Sequence, residues 1–278
     1  EKYFMFIWLA SYPKSGNTWV RSFLISYINN SNKPFEFDDL DKIKTFPGNN
    51  EINFLRNKCG GFRLVDMAAN WNFFQTQINK NKKINYLKTH NALCTLNNLD
   101  FTDKNNTIGV IYVVRDPRDV VISYSNHLKL NLDQTFNLMN NELFIEKTND
   151  LLPRTLLGKW SQHFNSWKSF NGVKKIFVRY EDLIDDPELN FYKIVKYLNG
   201  ISGLEVNKEQ ISKSINEVSF SRLSKLEGKL GFIENPNDRM INFFRVGKKN
   251  QWKTELPDTL RRKIENEFQK ELVELKYK

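Results

Sequence analysis

Residues 8–24, WLASYPKSGNTWVRSFL, decide how the chain is read. An apolar run closes at Tyr12 and Pro13, small or polar residues follow from Lys14 to Thr18, and apolar residues then return at helical spacing. That order describes a buried strand, a tight turn and an amphipathic helix. Such a turn leaves the helix's first N–H groups unpaired and aimed at the strand end, an arrangement that favours an anion. Gly16 lets the backbone approach closely, Ser15 and Thr18 offer hydroxyl donors, and Lys14 adds a full charge. The Walker A spacing GxxxxGK[ST] is absent, because only Pro13 and Lys14 precede Ser15 and Gly16. Taken alone, an ordinary capped turn with Lys14 in solvent explains the stretch equally well.

The same strand-to-helix event recurs outward from this stretch. KINYLKTH (83–90) is a shorter strand with a polar end. TIGVIYVVRDP (107–117) is the clearest buried strand; Asp116 as cap, Pro117 at the first helical position and Asp119 in the first turn start a helix behind it. KKIFVRYEDL (174–183) reads as a fourth strand, and NFYKIVKYLNG after it as a helix stopped by Gly200. Strands alternating with helices imply an α/β fold, a mostly parallel central sheet flanked by helices. In such sheets ligands sit outside the carboxyl ends of the strands. The four strands end in Lys14 and Ser15, in Lys88, Thr89 and His90, in Arg115, and in Arg179, Tyr180 and Glu181. Residues 31–82, 131–158 and 221–250 are less regular and read as insertions covering a cleft, so residues 1–278 form one domain.

Composition narrows the field. With 278 residues, 40% hydrophobic content and 22 Phe, the chain can bury a sizeable core. A net charge of +10 would suit an anionic partner, but Lys is spread along the whole chain, which a solvated surface explains as well. The aromatics follow core periodicity and do not interleave with basic residues, so no nucleic acid is expected as partner. Cys59 and Cys94 form neither a ligand spacing nor a disulfide framework. The longest apolar stretch, YFMFIWLA, has eight residues where a membrane span needs about 20. A cytoplasmic protein without a membrane span is the expectation.

Several motifs, taken together, point to one family. YPKSGNTW resembles the 5′-phosphosulfate signature of sulfotransferases that use 3′-phosphoadenosine 5′-phosphosulfate (PAPS), and YVVRDPRDVVISYSNH resembles the same family's 3′-phosphate signature. LKTH lies between them, where the family places its catalytic histidine; VRYEDL and VSF (218–220) follow, and RVGKKNQWK (245–253) is similar to a looser form of the closing Arg-Lys-Gly-x-x-Gly-x-Trp segment. The resemblance covers nearly the whole chain and implies a P-loop-like phosphosulfate-binding turn after the first strand. It places Lys14, Ser15, Gly16, Asn17 and Thr18 at the 5′ end of PAPS, Trp19 and Phe220 on the faces of the adenine, and Tyr180 and Ser219 at its edge. Arg115 and Ser123, eight positions apart, would hold the 3′-phosphate, with Arg245 and Gly247 closing over it. A salt bridge from Arg115 to Asp116 or Asp119 is the competing role for that guanidinium. Val246, Asn250 and Gln251 depart from the family's pattern, as does Val218 before the Ser-Phe pair.

Sulfuryl transfer needs a proton removed from the acceptor and charge stabilised on the leaving side. The resemblance makes His90 the general base, with Lys14 neutralising the departing oxygen and Lys88 the transferring group. His127 and His163 fall on predicted helices and are expected at surfaces or in cores. No metal is implied, PAPS being the co-substrate and PAP the product. The competing functions are a nucleotide kinase with a variant P-loop and a non-catalytic polyanion binder. Acceptors could be small molecules, glycans or lipids. Phe46, Phe54, Phe62, Trp71, Phe73 and Phe232 could line an apolar acceptor pocket or belong to the core. A homodimer is left open.

Overall fold

A computed structural model describes residues 5–30, 33–59, 63–146, 155–232, 234–235 and 242–278. In chain order it begins with β1 (Phe6–Ser11), α1 (Asn17–Asn29), a 3-10 turn at Phe37–Lys42, β2 (Lys44–Thr45), α2 (Asn49–Cys59), α3 (Leu64–Ala68) and α4 (Trp71–Asn79). Next come β3 (Asn85–Thr89), the short pair β4 (Thr95–Leu96) and β5 (Leu99–Asp100), β6 (Thr107–Val114), α5 (Pro117–Leu128), α6 (Leu132–Met139) and the hairpin strands β7 (Ile145–Glu146) and β8 (Thr155–Leu156). The remainder is α7 (Trp160–Lys168), β9 (Lys174–Arg179), α8 (Tyr180–Asp185), α9 (Pro187–Ser202), α10 (Lys208–Glu217), α11 (Phe220–Leu230), α12 (Trp252–Glu255), α13 (Asp258–Glu267) and α14 (Gln269–Glu274).

The central sheet has the order β2-β3-β1-β6-β9 with every neighbouring pair parallel. The central strands β1 and β6 are apolar on both faces because both faces are covered. Trp8, Ala10, Tyr112 and Val114 enter one apolar layer, against α4, α5, α7, α13 and α14. Ile7, Leu9, Ile111 and Val113 enter the other, against α1, α9, α10 and α11. A one-residue slip in β1 or β6 would exchange the two sets, so packing pins the register. Helix starts follow the local chemistry: the Asp116 side chain accepts the Arg118 N–H with Pro117 at the first helical position, and Asp186 with Pro187 repeats the device at α9.

Three expectations are corrected. The fourth strand stops at Arg179, and Tyr180 already opens α8. Helix α9 continues through Gly200, which faces open space, and ends at Gly203 in a left-handed cap with φ 76°. A glycine inside a helix costs about 1 kcal/mol, which packing outweighs; the left-handed cap requires it. The irregular stretch before residue 82 also supplies β2, whose two exposed residues carry no apolar pattern that could have announced a strand.

Candidate active site

A cleft of about 1290 Å³ opens along the carboxyl ends of the parallel strands and down the β2–β3 edge. It is larger than the usual 300–1,000 Å³ of a small-molecule site, leaving room for two reactants. The turn after β1 forms its floor. Lys14 and Gly16 both take left-handed backbone, with φ 64° and 99°, and α1 starts at Asn17 without a side-chain cap. Asn17 turns back to donate to the Leu9 carbonyl (3.2 Å) and the Ser11 hydroxyl (3.1 Å), so the turn is locked to its own strand. A Cβ on Gly16 would lie 2.6 Å from the Tyr180 ring; both the backbone angle and that close approach demand glycine. Among the described residues the buried Ser15 Oγ and Arg115 Nε have no hydrogen-bond partner. Both are donors that an oxyanion would satisfy.

Arg115 ties the donor end together. It donates to the Lys14 carbonyl (3.2 Å) and the Lys248 carbonyl (3.1 Å), stacks 4.5 Å over the Tyr180 ring, and stands 3.9 Å from Asp119. The Asp119 carboxylate accepts the Asn250 N–H (2.7 Å) and the Trp252 N–H (2.9 Å), fastening the closing segment to α5. Asn250, which stands where the family has glycine, has φ 61°; asparagine is the side chain that best tolerates left-handed backbone, so the departure keeps the geometry. Gly247 presses on Phe220, whose ring would lie 2.3 Å from an added Cβ. Thr18, Trp19, Ser123, Phe220, Arg245 and Gly247 all line the cleft. Ser219 does not: it precedes α11 with its hydroxyl 3.4 Å from Ser221.

At the other end His90 follows β3. Its Nδ1 lies 2.8 Å from the Ser11 carbonyl, which can only accept, so Nδ1 carries the proton and Nε2 keeps its lone pair. Among the described residues Nε2 has no hydrogen-bond partner, and His90 lines the cleft. Burial, then the neighbouring Lys88 charge, lower the His90 pKa to about 3, so the ring is neutral in neutral solution. His163, buried in the core, donates Nε2–H to the His90 carbonyl (3.0 Å) and accepts from Tyr112 (2.8 Å). It holds the His90 backbone from behind.

The Lys14 ammonium lies 3.7 Å over the Phe243 ring, and burial with Arg115 and Lys88 nearby lowers its pKa to about 7. Lys88 is buried, which lowers its pKa too, and it pairs with Glu234 at 3.0 Å. The other Glu234 oxygen meets Arg21 at 2.5 Å, while Arg21 also donates to the Ile43 and Leu40 carbonyls, each at 2.8 Å. Burial alone would raise the Glu234 pKa; Lys88 and Arg21 outweigh it and hold the carboxyl far below its usual range. Glu227 fixes the closing segment from α11, accepting the Phe243 N–H (2.6 Å) and the Phe244 N–H (2.9 Å).

Residues missed from sequence are Arg21, His127, Glu146, Glu234 and Phe243, all cleft-lining. His127 was expected at a surface or in the core; it lies one helical turn past Ser123, so it shares that face, and the spacing was legible. Glu146 and Glu234 arrive from distant loops and left no local signal. The aromatic candidates do not assemble into one acceptor pocket. Trp71, Phe46 and Phe232 are buried, with Phe46 also reaching the cleft, Phe54 and Phe73 are exposed, and Phe62 lies outside the described residues. Among the described residues no three His, Cys, Asp or Glu gather as a metal site, and no helix is long and apolar enough to cross a membrane.

A parallel α/β sheet whose carboxyl edge gathers a glycine turn, buried cations and a neutral histidine in one cleft fits a group-transferring enzyme. The family profile described as "Sulfotransferase domain" matches residues 6–276, and the chain belongs to that family. Sulfotransferase 1B1 of Canis lupus familiaris is 26% identical over 277 residues, spanning 95% of this chain and 82% of its own. Flavonol 3-sulfotransferase of Flaveria bidentis is 24% identical over 269 residues, spanning 93% and 79%. Among solved structures, mouse sulfotransferase SULT7A1 complexed with PAP superposes with a TM-score of 0.63 at 19% identity, covering 96% of this chain and 84% of that one. Retinol dehydratase in complex with androsterone and PAP gives 0.62 at 17% identity, covering 96% and 80%. These two share the fold.

Proposed function

We propose that this sulfotransferase moves the sulfuryl group of PAPS to a hydroxyl or amine of its acceptor by in-line displacement, with His90 as general base. PAPS, when bound, supplies a sulfuryl group activated by its phosphate leaving group. Lys14, Ser15, Gly16, Asn17 and Thr18 would hold its 5′ end, Trp19 and Phe220 its adenine, and Arg115, Ser123, Arg245 and Gly247 its 3′-phosphate. The orphaned Ser15 Oγ and Arg115 Nε support that fit. Tyr180 shapes the donor end through Gly16 and Arg115. His90 takes the acceptor's proton at Nε2, Lys88 faces the group in transit, and Lys14 meets the charge left on the departing oxygen.

The observation that carries this reading is the His90 tautomer: a neutral ring, fixed through Nδ1–H to Ser11, with a free Nε2 in the same cleft as Lys14 and Lys88. His90→Gln is expected to lower kcat by about 10²- to 10⁴-fold while PAP still binds within twofold of the parent affinity. Radiolabelled PAPS with an acceptor panel measures the first quantity, and titration calorimetry with PAP the second. Near-normal turnover in the variant would remove His90 from the mechanism; no heat with PAP would remove the donor.

A further inference from the structure

Glu146 is a buried carboxylate on the cleft wall that the transfer step does not use. One of its oxygens accepts the Tyr124 hydroxyl proton, and the other has no hydrogen-bond partner among the described residues. Its place beside the base follows from the hairpin. Glu146 on β7 pairs with Thr155 on β8. The next residue, Leu156, donates to Asn91 Oδ1 (2.9 Å) and accepts from the Ala92 N–H (2.7 Å). Residues 91 and 92 directly follow His90, so the hairpin is bonded to the segment that carries the base. Across the cleft wall the His127 ring stacks on Tyr124 at 6.1 Å.

Resting on the sulfuryl-transfer reading, we propose that Glu146 accepts a hydrogen bond from a second hydroxyl of the acceptor, and that the acceptor is a neutral polyol of the oligosaccharide type. An oxygen without a partner on the cleft wall selects acceptors that donate to it; an acceptor lacking a donor there leaves a buried polar group unpaired. Burial raises the Glu146 pKa, opposed by the Tyr124 hydroxyl, Lys88 and Lys14; among donors, a cationic amine would stand beside those two lysines. An anionic acceptor would meet the unbonded oxygen of Glu146. A hydroxyl meets neither penalty. Further along the β2–β3 edge the cleft is bordered by Asn49, Asn50, Gln77, Asn81 and Asn85, set among apolar side chains such as Phe46, Ile84 and Tyr86 that can meet the C–H faces of a sugar ring. An amide both donates and accepts, which matches a run of hydroxyls better than an apolar ring system.

The test is a ranking of acceptors with radiolabelled PAPS: 4-nitrophenol as a mono-hydroxyl, 2-phenylethylamine as a cation, methyl glucoside and cellotriose as polyols. The wild-type chain is expected to give cellotriose a kcat/KM at least tenfold above the other two classes. Glu146→Gln is expected to lower the ratio of kcat/KM for cellotriose to that for 4-nitrophenol by tenfold or more, chiefly through KM. A ranking led by nitrophenol or the amine overturns the proposal, as does a Glu146→Gln variant that lowers every acceptor by one factor. The wild-type ranking decides the matter even if the variant does not fold. PAP calorimetry separates the two levels: heat with PAP but a flat ranking overturns this inference alone, whereas no heat overturns the sulfotransferase reading with it.

Discussion

In the proposed donor site Lys14 is the residue whose charge is held most loosely, so donor affinity is expected to follow it. Burial and two neighbouring cations bring its pKa to about 7, so above that pH the free protein carries a neutral amine there. An anion favours the charged form, and binding then takes up a proton. The dissociation constant for PAP is therefore expected to rise as pH climbs from 7 to 9, by up to about tenfold per pH unit. Below pH 7 it should level off. Lys14→Arg should flatten the curve, since a guanidinium stays charged throughout. Calorimetry at pH 6.5, 7.5 and 8.5 measures this; an affinity independent of pH would contradict it. The lysine itself was readable from its turn, but its perturbation was not. That depends on burial and on Arg115 and Lys88, which lie 101 and 74 positions away in the chain. His90 shows the same division. The motif located it, while its tautomer required the Ser11 carbonyl.

At the scale of elements, the turn after β1 and the closing segment each press a glycine on an aromatic ring of another element, Gly16 on Tyr180 of α8 and Gly247 on Phe220 of α11. Gly16→Ala meets both a left-handed backbone, costing about 1–2 kcal/mol, and the Tyr180 ring at 2.6 Å. PAP affinity is expected to fall more than tenfold in that variant, as calorimetry would record. Asp119→Asn tests the clasp: it keeps an acceptor for one N–H and loses the charge facing Arg115. Hydrogen bonds to a charged group are worth about 1.5–3 kcal/mol, so PAP binding should weaken by roughly tenfold or more, with little loss if the clasp is idle. The closing segment departed from its family at Val246, Asn250 and Gln251, which made its role hard to read. Asn250 explains why the loop still closes: the backbone angle was preserved while the side chain changed.

For the whole molecule, the four longer strands and their polar ends were legible because both-face burial writes continuous apolar runs. Strand β2 and the β7–β8 hairpin were not, being two residues each and dependent on partners elsewhere. Arg118 shows how the far end of the chain is joined to the sheet. It bonds Asp116 (2.7 Å), Glu265 (2.7 Å) and the Tyr277 carbonyl (2.8 Å) and lies 3.8 Å over Trp252, all while buried. Arg118→Leu leaves Asp116 buried without its partner, a loss of roughly 3–5 kcal/mol. The unfolding midpoint should fall on the order of 10 °C in a calorimetric scan; a shift of a degree or less would deny the network its role.

Trp19 borders the proposed donor end of the cleft, its indole N–H without a partner among the described residues, while Trp8, Trp71, Trp160 and Trp167 are shut inside the core. Placed so, it offers a built-in optical probe: a purine stacking on the indole as proposed is expected to quench its emission, and titrating that quench would read occupancy without any label.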